Sequence, residues 1–296
     1  MLTDLEVHLT FAELLASVGK KDTDENRQKL LNNHIRQVAV GISFANEQKM
    51  YFGKLMHKAV KYEEKKTWFL SMNLTFTPLA LYSDEMYDPK EHKNIIGAEV
   101  FKNMDNETRS RIYAELLQNI NAKHKMAGVK TGSQHDSSDI WPKTVRDVLD
   151  QFMFFSIERV IVGENAELGK YFDKEELIDA NGVKVLFTGR PLDRFALAVY
   201  AAILWLMKSE GLDDYYCIKQ SDLLNLMGFL ETEKTAQYLR ESFAMLTSNA
   251  VMVSYENTLH IEGLIREVIY CGETGDLMIW LNTGLMPLSS DFSPAH

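Results

Sequence analysis

The chain repeats its own pattern once, at a fixed distance of 209 residues. Thr10–Tyr82, which we call copy one, returns as Lys219–Phe292, which we call copy two. The matched positions are apolar, glycine, capping and turn residues: Leu14, Leu15, Gly19, Thr23, Leu30, Asn73 and Pro78 correspond to Leu223, Leu224, Gly228, Thr232, Leu239, Asn282 and Pro287. Because the spacing holds over the whole length, we interpret the repeat as a duplicated architecture. A short-period array would need several adjacent units that share one core.

Each copy has the pattern of two helices followed by strands. Residues 11–18 carry apolar side chains at helical spacing, and Gly19 follows where a helix commonly ends. Thr23 is a typical N-cap for a second helix, which places Leu30 and Ile35 on one face. The pattern then changes to the alternation of strands. We therefore predict an α+β fold of two winged-helix modules, each a helix-turn-helix plus a β-hairpin, joined by a mainly helical middle region.

Further elements precede copy two. Asp193 is an N-cap for an apolar helix that ends at Gly211, and Asn181-Gly182 predicts a tight hairpin that we assign to the second domain. Copy one begins too close to Met1 for a helix of that length. Either its first residues are a remnant, or the amphipathic helix predicted at 105–126 completes it.

The most polar, loop-like segment of the chain follows that middle helix. We place a linker there, at residues 129–140. The predicted domains are 1–128, an N-terminal winged-helix module with a helical extension, and 141–296, a C-terminal module with its preceding helices and hairpin.

The sequence gives no sign of a membrane or secretory protein. Its longest apolar run, Phe195–Met207, has 13 residues, against roughly 20 for a transmembrane helix. The N-terminus lacks the pattern of a signal peptide. Cys217 and Cys271 are too few for a disulfide framework. We expect a cytoplasmic protein without membrane contact.

Catalytic and metal-binding patterns are weak. His124 and His135-Asp136 have no further ligand at zinc spacing, and Gly128–Ser133 lacks the residue order of a phosphate-binding loop. The aromatic run Phe152–Phe155 predicts burial between layers. We expect a protein without catalytic residues, metal or cofactor; an enzyme within the middle region stays an alternative.

Charge separates the two copies. The chain has a net charge of −10, which argues against a surface that is basic all round. Residues 10–81 nevertheless hold 11 Lys/Arg and 7 Asp/Glu, a net +4, whereas residues 219–291 hold 4 and 10, a net −6. Copy one is therefore the better candidate for contact with nucleic acid.

Two such modules in tandem resemble the replication initiator (Rep) proteins of bacterial plasmids. The resemblance rests on Glu13-Leu14-Leu15 to Gly19, Gly53-Lys54-Leu55, and Leu70-Ser71-Met72-Asn73 to Pro78-Leu79, with counterparts at Asp222-Leu223-Leu224 to Gly228, Gly263-Leu264-Ile265, and Leu281-Asn282 to Pro287-Leu288. It implies binding to repeats in double-stranded origin DNA. One module would hold the DNA, and the other would serve dimerisation and contacts with replication proteins.

If copy one binds DNA, its second helix should enter the major groove and its hairpin should follow the backbone. The candidate DNA-binding residues are Arg27, Lys29, Asn32, Asn33 and Arg36 on the helix and Lys49, Lys54, Lys58, Lys61, Lys65 and Lys66 on the hairpin. The alternative is that these lysines keep the protein soluble and prevent edge strands from pairing with other chains.

The corresponding helix of copy two is acidic and favours contact with protein, either a second copy of the chain or a partner. A different hypothesis makes the whole chain a scaffold or adaptor subunit of a nucleoprotein, defence or phage complex. The two hypotheses differ in the basic residues of copy one. A continuous basic face favours DNA, whereas pairing with Glu47, Glu63 and Glu64 favours the scaffold.

Overall fold

The computed structural model describes residues 4–45, 49–73, 75, 87–88, 93–94, 142–149, 171–210, 215–282 and 285, with single positions between 107 and 122. The linker predicted at 129–140, the histidines at 124 and 135, and the aromatic run at 152–155 lie outside these residues. The domain division therefore stays a prediction.

Both copies contain the same elements in the same order. Copy one with its leading strand consists of β1 (Asp4–Thr10), α1 (Phe11–Ser17), α2 (Asp24–Ala39), β2 (Gly41–Ala45), β3 (Lys49–Lys54), β4 (Met56–Tyr62) and β5 (Thr67–Asn73). Between the copies lie β6 (Tyr87–Asp88), β7 (Lys93–Asn94), β8 (Phe172–Ala180), β9 (Val183–Gly189) and α3 (Arg194–Glu210). Copy two consists of β10 (Tyr215–Lys219), α4 (Gln220–Leu226), α5 (Glu233–Thr247), β11 (Asn249–Tyr255), β12 (Thr258–Glu262), β13 (Ile265–Cys271) and β14 (Asp276–Leu281). The bounds of α1 and α4, and of β4 and β13, differ by the repeat distance of 209.

The local signals in the sequence form the predicted caps and turns. Gly19 and Gly228 follow the first helix of each copy with φ of +68° and +79°, the left-handed region that glycine tolerates. Thr23 and Thr232 cap the second helices, and Asn181 and Gly182 connect β8 to β9 in a tight turn. Residues 4–10 are not a remnant, because they form β1, the counterpart of β10.

Each of the two large antiparallel sheets contains strands of both copies. The seven-stranded sheet has the order β1-β5-β4-β12-β11-β9-β8, and the five-stranded sheet has the order β10-β14-β13-β3-β2. The β2–β3 hairpin of copy one thus extends the sheet of copy two, while the β11–β12 hairpin of copy two extends the sheet of copy one. This exchange makes each copy part of the other's sheet.

The two exchange junctions are equivalent in register. Ile261 pairs with Ala59 at one junction and Phe52 pairs with Val268 at the other. Phe52 and Ile261 lie 209 residues apart in the sequence, and so do Ala59 and Val268. Copy one and copy two are therefore arranged with approximate two-fold symmetry around these junctions.

The exchange changes the predicted wing. The chain leaves the five-stranded sheet after Lys54 and enters the seven-stranded sheet at Met56, so the strands before and after Leu55 belong to different sheets. The predicted α+β class is confirmed. The winged-helix assignment stays a prediction.

The hydrophobic core lies on both faces of the seven-stranded sheet. On β11, Ala250 and Met252 pack beneath the helices of copy one, whereas Val251 and Val253 belong to the larger core that contains α3 and α5. This alternation follows from the period of two in a strand. The apolar segment predicted as a buried helix forms α3. Among the described residues, no helix has the length and apolar character needed to span a membrane.

The predicted middle helix makes one contact near copy one. The described positions between 107 and 122 are helical, as the sequence predicted. Asn119 Nδ2 donates to the Thr75 carbonyl oxygen over 3.2 Å, just beyond the end of β5. Whether this helix completes copy one stays a prediction.

Buried polar residues gather where the hairpins are exchanged. The Lys54 ammonium is fully buried and donates to the Asn249 carbonyl oxygen over 3.0 Å. Lys54 packs against Gly263, its own repeat counterpart. A Cβ atom at Gly263 would overlap the Lys54 ammonium and come within 3.0 Å of the Asn249 carbonyl oxygen. Near the symmetry axis, therefore, a long side chain in one copy requires glycine in the other.

This packing gives a stability prediction. Gly263→Ala should lower the free energy of unfolding by about 1–3 kcal/mol, as expected for overpacking of a dense core. The loss should be smaller in a Lys54→Ala background, because the overlapping ammonium is then absent. Urea unfolding of the wild type, both single variants and the double variant measures the coupling. Additive effects of the two substitutions would contradict the proposed contact.

Candidate nucleic-acid interface

In copy one, the turn between α1 and α2 and one side of α2 form an exposed surface. It presents Lys20, Lys21, Lys29, Asn33 and Arg36, all exposed, and we call this set the copy-one face. The three α2 residues share one side of the helix because they lie four and three positions apart. In the described part of the chain, neither Lys20 nor Lys21 has an ion-pair partner.

The opposite side of α2 is held firmly in the core. Leu30, Ile35 and Val38 pack on the seven-stranded sheet. His34 is also buried, with its ring centroid 4.7 Å from that of Trp68. Burial lowers the pKa of His34 to about 4, so the imidazole is neutral at pH 7. His34 therefore supports the helix from inside and leaves the outer side to the copy-one face.

Two of the predicted helix residues form local ion pairs. Arg27 donates to both carboxylate oxygens of Asp22, over 2.6 and 2.9 Å, and this hydrogen bonding raises the pKa of Arg27. The guanidinium also lies over the Phe11 ring, so Arg27 mainly fixes the start of α2. Lys29 lies 2.6 Å from Glu25, but both side chains are exposed. An exposed ion pair of this kind contributes little to stability, so Lys29 can exchange Glu25 for a phosphate.

The remaining predicted helix residues lie towards the C-terminal half of α2. Asn33 and Arg36 are exposed. Asn32 is half-buried, and its Oδ1 accepts a hydrogen bond from Lys174 Nζ over 3.1 Å. The start of β8 thus borders the copy-one face.

Two predicted strand lysines are wrong as DNA contacts. Lys54 is fully buried, and burial lowers its pKa to about 7. Lys58 Nζ lies 2.6 Å from Glu262, a buried carboxylate of β12. Both lysines lie where β3 and β4 pass between the shared sheets, so neither belongs to an exposed wing.

The other strand lysines are divided between the protein body and the surface. Lys61 is mostly buried, pairs with Glu63 and lies over the Phe11 ring. Lys49 is half-buried in β3, opposite Cys271. Lys65 and Lys66 are exposed in the β4–β5 turn, beside the start of α1. Only these two can extend the copy-one face.

The same positions in copy two carry apolar side chains. Lys20, Lys21 and Lys29 are replaced by Phe229, Leu230 and Tyr238, which are 40%, 79% and 42% exposed. Together with Leu226, these three residues form what we call the copy-two face. Sequence reasoning missed Lys20 and Lys21, although a comparison across the 209-residue offset could have identified them.

The outer side of α5 is also less accessible than that of α2. Helix α3 packs against α5, and its Phe195 contacts Phe229 and Tyr238 with ring centroids 5.1 and 5.8 Å apart. Asn33 is exposed, whereas its counterpart Ser242 is buried. Copy one therefore exposes Asn33 and Arg36 at positions where copy two has a buried Ser242 and a half-buried Met245.

Other kinds of site have less support in the described residues. These residues contain no group of three or more His, Cys, Asp or Glu side chains that could hold a metal ion. Comparison with protein-family models, with curated proteins and with solved structures finds no match. The chemistry of the two faces is therefore what bears on the function.

Proposed function

We propose that this chain binds double-stranded DNA through the copy-one face, with α2 in the major groove. The observation that carries the proposal is the contrast between the copies. At the positions where copy one exposes Lys20, Lys21 and Lys29, copy two carries Phe229, Leu230 and Tyr238; where copy one exposes Asn33 and Arg36, copy two has a buried Ser242 and a half-buried Met245. The surface of copy one suits nucleic acid, and that of copy two does not.

The copy-one face contains residues suited to phosphate contacts and residues suited to base contacts. Lys20, Lys21 and Lys29 supply mobile cations for phosphates, each contact releasing close to one counterion. Asn33 and Arg36 can reach base edges, since amide side chains pair with adenine and guanidinium groups with guanine. Base contacts of this kind give discrimination between sequences, and phosphate contacts give affinity.

The acidic remainder of the chain is compatible with this proposal. A net charge of −10 repels DNA from most of the surface, so contact is confined to the region where positive charge is concentrated. An initiator of the kind suggested by the plasmid Rep resemblance would use such a face on origin repeats. Binding requires no catalytic group, and we propose a binding protein rather than an enzyme.

The DNA-binding proposal predicts separate effects of the two residue types. Lys20→Ala/Lys21→Ala/Lys29→Ala should weaken binding to all duplexes and lower the slope of log K against log salt by up to about 2.7, or roughly 0.9 per lost contact. Asn33→Ala should mainly reduce discrimination between duplexes recovered from a random library and their scrambled versions. Fluorescence anisotropy at several salt concentrations measures both effects.

The matched control lies on the corresponding helix of copy two. Lys234→Ala/Arg240→Ala also removes cations from a second helix, and it should leave the affinity and the salt slope unchanged. Equal losses of affinity in the copy-one and copy-two variants would contradict DNA binding through the copy-one face. Failure of the wild type to bind any duplex at low salt would refute the proposed function.

A second candidate function is contact with protein through the copy-two face, either as self-association or within a scaffold. Its support is the exposed apolar surface around Leu230, since large exposed apolar patches commonly mark interaction sites. The pairing of Arg27 with Asp22 and of Lys61 with Glu63 also favours a scaffold, because these two cations of copy one already have carboxylate partners within the chain. A second copy of this chain is the partner to test first.

Self-association can be tested by replacing two residues of the copy-two face with their counterparts in copy one. Phe229→Lys/Leu230→Lys should shift a dimer to monomer in sedimentation velocity, because two cations replace the centre of the apolar face. Lys20→Ala/Lys21→Ala is the control and should leave the mass unchanged. A wild type that stays monomeric at all concentrations would contradict self-association.

A further inference from the structure

A small polar pocket borders α2 beside the copy-one face. It lies between the C-terminal half of α2 and the strands β8 and β9, and has a volume of about 100 Å³. Its polar lining includes Asn32, Arg36, Asp173, Lys174 and Thr188. A pocket of this size, open to solvent, can hold a group of phosphate size. We call it the α2–β8 pocket.

The backbone of β8 is distorted at this pocket. Lys174 has φ of +58° inside a strand, whereas the other described residues with positive φ that are not glycine, Lys66, Asn181 and Glu256, lie in hairpin turns. The pairing of β8 with β9 shifts register between Phe172 and Glu175. A bulge of this kind redirects a side chain, and strained backbone often marks a functional position.

The distortion fixes Lys174 between α2 and β9. Its backbone N–H donates to Thr188 Oγ1 over 3.0 Å, and its ammonium donates to Asn32 Oδ1 over 3.1 Å. The side chain of Lys174 is nevertheless exposed. Solvent-borne anions can therefore reach an ammonium that the protein already holds next to α2.

The charge of the lining suits an anion. Arg36 and Lys174 bring positive charge to the pocket, and Asp173 brings one carboxylate. A phosphodiester is a monoanion, whereas free phosphate near pH 7 is a mixture of monoanion and dianion. Asn32 Oδ1 accepts from Lys174, which leaves the Nδ2 group as the donor of this side chain.

We propose that the α2–β8 pocket binds one phosphodiester group of the DNA backbone, next to the bases that α2 contacts. This inference rests on the proposed DNA-binding function and adds a second element to the interface. The β8–β9 hairpin belongs to neither copy, so the additional contact beside α2 comes from outside both repeats. It would fix the position of α2 along the groove, as phosphate contacts generally do.

Lys174→Met tests the proposal, because it removes the charge and keeps an unbranched side chain. The slope of log K against log salt for duplex DNA should fall by about 0.9, with a several-fold loss of affinity at low salt. Lys184→Met is the matched control. Lys184 lies on the neighbouring strand and pairs with Glu176 over 2.7 Å, so its replacement should leave the slope unchanged.

A second experiment examines the pocket without DNA. Dimethyl phosphate and inorganic phosphate are titrated separately into the labelled protein, and the backbone amide signals of Lys174 and Thr188 are followed by NMR. Dimethyl phosphate should shift these signals in the wild type and in Lys184→Met, with a smaller shift at Thr188 in Lys174→Met. This result would support a phosphodiester site even if duplex binding failed.

The outcomes separate the possible sources of the phosphate group. Equal salt slopes for Lys174→Met and Lys184→Met, in a protein that binds DNA, overturn the pocket proposal and leave the proposed function intact. Shifts caused by inorganic phosphate alone overturn the assignment to DNA backbone and indicate a site for a free phosphate. No shift with either compound overturns the pocket as a phosphate site.

Discussion

The structure depends on the exchange of hairpins between its two copies. β12 of copy two pairs with β4 of copy one, and β3 of copy one pairs with β13 of copy two. Through this exchange Met252 and Ile261 pack beneath α1 and α2, and Phe52 enters the core beneath α5. The helix that we propose as the DNA reader is thus supported by the half of the chain that does not present the DNA-binding face. Changes at the junctions should therefore affect both faces.

Within this nearly symmetrical frame, the copies differ at two places: near the symmetry axis and at the outer surface. Near the axis, Lys54 fills space beside its counterpart Gly263, because two long side chains would not fit there. At the outer surface, the lysines of copy one correspond to Phe229, Leu230 and Tyr238 in copy two. A duplicated fold can in this way keep one set of strand pairings while its two exposed surfaces acquire different partners.

Local features could be predicted from the sequence, and long-range pairings could not. The caps at Thr23 and Thr232, the glycine stops and the Asn181-Gly182 turn involve neighbours in the chain, so short motifs indicated them correctly. The strand period shows which side chains share a face but does not identify the neighbouring strand. For this reason Lys54 and Lys58 were interpreted as exposed wing residues, although Lys54 is buried against copy two and Lys58 pairs with Glu262 of copy two. The α2–β8 pocket was also unpredictable, because it joins segments that are more than a hundred residues apart.

Lysine footprinting can show whether DNA contacts copy one and not copy two. The intact protein is acetylated with a limiting reagent, with and without duplex DNA at low salt, and each lysine is quantified by mass spectrometry. We expect DNA to lower the reactivity of Lys20, Lys21 and Lys29 and to leave that of Lys219 and Lys234 unchanged. Protection of Lys219 and Lys234 without protection of the copy-one lysines would contradict it.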